Sequence, residues 1–177
     1  MLQSALKFRI AAFLIIFGLI GSKNLVGAAS LGSQENPLRM MFVPSGDSQV
    51  ILKGGQEIAR HLEKATGLYF KTSVATSYAA VIEAMGAGKV DIGWLATFSY
   101  VLAHEKYGVD IILIVMRFGS PFYRGQIMVR TNSGINKLAE LKDKTFAFVD
   151  PASTSGHLYP KSLLLSKGFD PKVFFKR

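Results

Sequence analysis

The stretch Thr145-Phe146-Ala147-Phe148-Val149-Asp150-Pro151-Ala152-Ser153-Thr154-Ser155-Gly156-His157 runs an apolar strand through a proline turn into a helix. Strand followed directly by helix is the repeating unit of α/β layer folds. The junction also places three consecutive small hydroxyl residues at the helix start. A helix start exposes backbone N–H groups that have no intrahelical partner and carries a partial positive charge, so hydroxyls there converge with amides on an oxyanion. A tetrahedral phosphorus oxyanion suits such a nest. Ordinary helix capping explains one of these hydroxyls, but three stand in a row.

Outward from this junction, strand and helix patterns alternate from Leu38 onward, which predicts an α/β fold with a largely parallel sheet. Leu38 to Val43 reads as the first strand and Pro44-Ser45-Gly46-Asp47 as its exit turn with a capping side chain. Ile51, Ile58 and Leu62 fall at helical spacing and Gly67 closes that helix, although Gly54-Gly55 weakens its middle. Leu68 to Val74 returns as a strand. Ala75-Thr76-Ser77-Tyr78 opens a helix whose buried stripe is Val81, Ile82 and Met85, and Val90 to Leu95 is the next strand. A helix over Thr97 to Tyr107 and a strand over Ile111 to Met116 complete one lobe, residues 30–125. A second unit, residues 126–177, holds strands at Ile127 to Arg130 and Phe146 to Val149, a short helix at Leu138 to Leu141 and a helix over Thr154 to Lys167.

The first 29 residues read as a targeting element. Lys7 and Arg9 make a basic start, Ile10 to Ile20 an apolar run too short to favour a membrane span, and Gly27-Ala28-Ala29 a small-residue site with cleavage expected after Ala29. An uncleaved N-terminal anchor is the other reading. The chain has no cysteine, which excludes a disulfide frame, a thiol nucleophile and a lipid-modified N-terminal cysteine. Its formal charge is +9; losing Lys7, Arg9 and Lys23 leaves 18 basic against 12 acidic residues, or +6. These charges form no dense basic block, so a bias toward small anions fits better than nucleic acid.

Three quoted pieces, in order, carry a resemblance. Tyr78-Ala79-Ala80-Val81-Ile82-Glu83-Ala84-Met85, then Gly88-Lys89-Val90-Asp91-Ile92-Gly93-Trp94-Leu95 with Phe98-Ser99-Tyr100, then Leu138-Ala139-Glu140-Leu141-Lys142 leading into Phe148 to Gly156, resemble the phosphate/phosphite/phosphonate substrate-binding proteins of ABC transporters. The likeness runs from Leu38 to the C-terminus. It implies a type II periplasmic-binding-protein fold, α/β with two lobes that close on the ligand by a hinge, acting as a periplasmic monomer that serves an inner-membrane ABC permease. It implies no cofactor and no chemistry on the ligand. Ser153, Thr154 and Ser155 would hold the ligand oxygens, with Tyr78 and Tyr123 contributing. Members of that family continue well beyond Phe174-Phe175-Lys176-Arg177, so the expectation is a nearly complete first lobe, only the opening of the second, and weak binding.

The residues themselves leave other roles open. Tyr78 could be a core tyrosine, Tyr123 could pack at the crossover between lobes, and His157, in the first turn of its helix, could donate to an oxyanion or cap locally. Arg124 invites comparison with an anion clamp, but most surface arginines are solvated. Asp150, Ser155 and His157 lie close in sequence, yet the segment Ala152-Ser153-Thr154-Ser155-Gly156 lacks the first glycine of a nucleophile elbow. A ligand-sensing module feeding a signalling partner, or a non-functional truncated fragment, are the alternatives to a transport receptor.

Overall fold

A computed structural model describes residues 29–176; residues 1–28 of the predicted leader lie outside the described residues. The sheet has three parallel strands: β1 (Leu38–Phe42), β2 (Phe70–Val74) and β3 (Ile92–Trp94), in the order β2-β1-β3. The central strand faces protein on both sides, and its sequence shows why. Met40 and Phe42 pack with Ala59 on one face, and Val43, with Met41 against it, packs with Tyr78, Val81 and Ala152 on the other. Alternating side chains of a strand point to opposite faces, so a strand covered twice needs apolar residues at both parities.

Helix α1 (Ser48–Thr66) joins β1 to β2, and α2 (Tyr78–Gly86) joins β2 to β3 by crossing back over β1. The two crossovers run in opposite directions, so right-handed connections put the helices on opposite faces of the sheet. Asp47 starts α1 by accepting hydrogen bonds from the amides of Gln49 and Val50, and Gly67 ends it at φ 72°. Gly55, expected only to weaken this helix, is the point where the Phe42 ring lies against it: a Cβ there would stand 2.6 Å from Phe42 Cε2. Across the opposite strand pair, Arg39 binds the Asp91 carboxylate through Nε and Nη2, each at 2.8 Å, which ties β3 to β1.

Helix α3 (Thr97–Tyr107) follows β3 and packs on α2. Beyond it the sequence reading needs correction. Ile111 to Met116, Ile127 to Arg130 and Phe146 to Val149 form no strands. Their apolar content is that of strands, but a strand exists only where a neighbour supplies partners for its N–H and C=O groups in register, and among the described residues no strand pairs with these segments. Ile111 to Met116 is accordingly exposed along its whole length. Phe146 instead stacks on Phe175, with ring centroids 4.5 Å apart.

The helix expected over Thr154 to Lys167 is a π-turn, Thr154–Leu158, running into α4 (Tyr159–Ser166); a last short helix, α5, spans Pro171–Phe174. Pro160 accounts for the wide turn. It has no N–H to offer the Gly156 carbonyl, and the Val149 amide takes that carbonyl at 3.0 Å instead. The Leu158 amide then reaches back to the Ser153 carbonyl, 3.0 Å away and five residues earlier.

Candidate functional site

The chain changes direction across the sheet between β1 and β3, and the carboxyl ends of such strands open a crevice where α/β proteins receive ligands. Three chain starts meet there: the first turn of α2, the first turn of α3, and the segment from Asp150 to Ser155. The Asp150 carboxylate accepts from the Ala152 amide at 2.9 Å and from the Tyr78 amide, the first of α2, at 3.0 Å. Ser99 Oγ, fully buried, donates to the Ala152 carbonyl at 2.8 Å. Helix α3 has no capping side chain of its own, because Ala96 stands at its N-cap. Thr154 supplies the cap from 56 residues away, its Oγ1 accepting from the Phe98 amide at 2.7 Å.

Ser153 and Thr154 are each 5% exposed, and Ser155 is half-buried. Ser153 is the N-cap of the π-turn, its Oγ accepting from the Gly156 amide at 3.2 Å. Both buried hydroxyls therefore act as acceptors toward backbone amides, while each keeps one O–H hydrogen to donate. A hydroxyl whose lone pair already receives a hydrogen bond is a stronger donor in a low-dielectric setting. The amides of Ser155 and His157 lie in the first turn, where no intrahelical carbonyl stands behind them.

The backbone of Gly125 runs against this turn: a Cβ on Gly125 would lie 3.0 Å from the Ser155 carbonyl oxygen. Gly156 is as tightly enclosed, since its Cβ would meet Val149 Cγ2 at 2.4 Å. Tyr78 is 3% exposed and belongs to the core cluster that includes Val81 and Ala152. Tyr123, two residues before Gly125, is 51% exposed with the Arg117 guanidinium 5.7 Å from its ring centre. The His157 ring turns the other way, its Nδ1 3.4 Å from the Val149 carbonyl and its plane tilted against Phe148. So the structure packs Tyr78 against Ala152, next to Ser153 in the chain, leaves Tyr123 exposed two residues from the Gly125 contact with Ser155, and sends the His157 ring to a groove with Phe148 and Lys161.

Asp150, Ser155 and His157 do not form a nucleophile relay, because the carboxylate is spent on two amides and the imidazole faces a carbonyl. A larger groove of about 420 Å³ lies between α2 and α3, lined by Ala79, Ile82, Leu102 and Ala152 among others. Its wall is mainly apolar and it reaches the nest only at Ala152. Glu83 bridges its helices, accepting from Lys106 Nζ at 2.7 Å and the Tyr107 hydroxyl at 2.5 Å. These bonds hold the Glu83 carboxyl below its ordinary range and push the Lys106 ammonium above its own. Among the described residues no group of His, Asp and Glu gathers to hold a metal.

The sequence reading missed Ser99 and Gly125 and considered Asp150 only as a relay member. Asp-Pro is a turn signal, but its partner Tyr78 is 72 residues distant, and no local pattern announces that pairing.

Residues 40–177 match the family model described as ABC transporter, phosphonate, periplasmic substrate-binding protein. A phosphate-import protein PhnD of Mycolicibacterium smegmatis is 34% identical over 136 residues, covering 74% of this chain and 42% of that protein. The phosphonates-binding periplasmic protein of Escherichia coli is 29% identical over 174 residues, covering 96% of this chain and 52% of its own length. Among solved structures, a binding-protein component of an ABC phosphonate transporter from Pseudomonas aeruginosa superposes with a TM-score of 0.74 at 28% identity, over 80% of this chain and 49% of that one. PhnD1 from Prochlorococcus marinus, solved with methylphosphonate, shares the fold, with a TM-score of 0.59 at 19% identity over 78% and 53% of the two chains. This chain spans about half the length of these relatives.

Proposed function

Because the chain belongs to the family of phosphonate-binding periplasmic substrate-binding proteins of ABC transporters, we propose that it binds a phosphorus oxyanion (phosphonate, phosphite or phosphate) at Ser153, Thr154 and Ser155 for uptake through an inner-membrane permease. Its α/β architecture is that of type II periplasmic binding proteins. In this reading residues 30–125 form the first lobe and residues 126–177 begin the second, and the leader through Ala29 directs the chain to the periplasm.

One observation carries the reading. Ser153 and Thr154 are buried hydroxyls that each accept from an amide, Gly156 and Phe98 respectively, and each keeps an O–H hydrogen to donate to a ligand. These donors, joined by the open amides of Ser155 and His157, favour an acceptor-rich anion over a cation. Each hydrogen bond to a charged oxygen contributes about 1.5–3 kcal/mol net, enough to hold a small anion with no buried cation and release it readily. Tyr123 enters as a contributor at the exposed edge and Tyr78 from the core side, and His157 through its backbone amide. Nothing in this role breaks a bond of the ligand.

Isothermal calorimetry of the chain with phosphate, phosphite and methylphosphonate tests the proposal. Binding of at least one anion is expected, and Ser153→Ala with Ser155→Ala should weaken it at least about tenfold per lost contact. Heat that is absent for all three anions, or unchanged in the double variant, would refute it.

A further inference from the structure

We propose that Asp150 is a positioning residue that latches the Ser153–Ser155 nest to the start of α2 and thereby fixes Tyr78 relative to the anion; this rests on the oxyanion reading of the nest. The segment that carries the hydroxyls is held to α3 by two side-chain bonds, Thr154 Oγ1 from the Phe98 amide and Ser99 Oγ to the Ala152 carbonyl. Its bond to α2 is the Asp150 carboxylate. One oxygen takes the Ala152 amide, which sets the turn leading into Ser153, and the other takes the Tyr78 amide. Serine 77, the residue at the N-cap of α2, cannot replace it: Ser77 Oγ is committed to the Ala80 amide.

The two jobs require two acceptor oxygens at one position, which a carboxylate has and a carboxamide lacks. The charge matters as well. A negative charge at the positive end of α2 strengthens the bond from the Tyr78 amide. Asp150 thus touches no ligand in this scheme. It decides where the tyrosine stands relative to the nest.

Asp150→Asn keeps one acceptor for the Ala152 amide and presents an NH₂ to Tyr78. Asp150→Ser keeps a short acceptor for the local turn and cannot reach Tyr78, so the two variants fail in different ways if folding is affected. Two-dimensional ¹H–¹⁵N spectra of the full chain should show the Tyr78 amide moving upfield in both. Calorimetry with inorganic phosphate and methylphosphonate should show each variant binding about tenfold more weakly. Tyr78→Phe supplies the readout that a merely structural role would not move. It should weaken the parent chain severalfold and the Asp150→Asn chain by less than about twofold, because the tyrosine is already displaced. A Tyr78 amide unmoved in both variants would overturn the latch. Unchanged affinity, or losses that simply add in the double variant, would overturn the positioning. Failure of the parent chain to bind either anion would instead overturn the oxyanion reading, and the amide shifts would still report on the latch separately.

Discussion

Replacing Thr154 with valine separates the two duties of one hydroxyl. Valine keeps the volume and the β-branch of the buried side chain and removes only the oxygen that caps α3. The Phe98 amide then loses its 2.7 Å partner, and Ala96 at the N-cap has nothing to offer in its place. A buried donor left unsatisfied costs about 1–3 kcal/mol, and a lost cap typically about 1 kcal/mol; these are two views of a single bond and are not summed. Phe98 is half-buried, so water recovers part of the loss, and a destabilisation of about 1–2 kcal/mol follows. With a urea slope of about 1–3 kcal/mol/M, the unfolding midpoint should fall by roughly 0.5–1 M. Trp94, the chain's single tryptophan, stacks on Phe42 in the core and reports the transition by its fluorescence.

The same variant should lose anion affinity, whereas Thr154→Ser should keep it. Hydrogen exchange adds a local readout: the Phe98 amide should exchange faster in Thr154→Val and stay protected in Thr154→Ser. A valine variant with an unmoved midpoint and an unchanged Phe98 amide would refute the capping argument. Lost stability with anion affinity intact would leave the cap in place and remove Thr154 from the ligand.

Three further outcomes are expected. Gly54→Ala should stabilise the chain by up to about 1 kcal/mol, since a methyl there meets nothing within 4 Å, while Gly55→Ala should destabilise it, because its Cβ 2.6 Å from Phe42 makes overpacking outweigh the propensity gain; urea midpoints moving in opposite directions check this. Gly156→Ala should cost about 1–3 kcal/mol through collision with Val149, and Val149→Ala in the same chain should restore part of it in the same titration. Hydrogen bonding to Arg39 holds the Asp91 carboxyl below its ordinary range. That stability contribution is therefore complete above the unfolded carboxylate's value of about 3.9 and is lost as pH falls through the lower folded value. Asp91→Asn should flatten the acid limb of stability against pH below about pH 4.

The parts of the fold legible in the sequence are those built from near neighbours. The Leu38 to Val43 strand, the Asp47 cap and the Gly67 stop depend on residues within a turn or two, and each was read where it stands. Ile111 to Met116 was misread for the opposite reason. Its hydrophobicity is local, but being a strand is a relation to another strand, and the segment has none beside it among the described residues. The π-turn lay between these cases. Pro160 was visible, yet the consequence of its missing N–H depended on Val149 folding back over Gly156.

The candidate site shows the same division at closer range. Three hydroxyls at a helix start could be recognised as a nest from sequence, because helix-start chemistry is local. What they do beyond their own helix could not. Thr154 caps a helix 56 residues earlier, and Asp150 seats a tyrosine amide 72 residues earlier. These long-range bonds have a mechanical consequence that local capping would lack. If the hydroxyls capped only their own turn, the nest could shift against α2 and α3 at little cost. Because Thr154 caps α3 and Ser153 caps its own turn, movement of the segment breaks bonds that start two helices, so in the proposed role its donors would be preorganised for an anion. In the proposed role, the same bonds that stabilise the crevice also restrict where the remaining hydroxyl hydrogens can point.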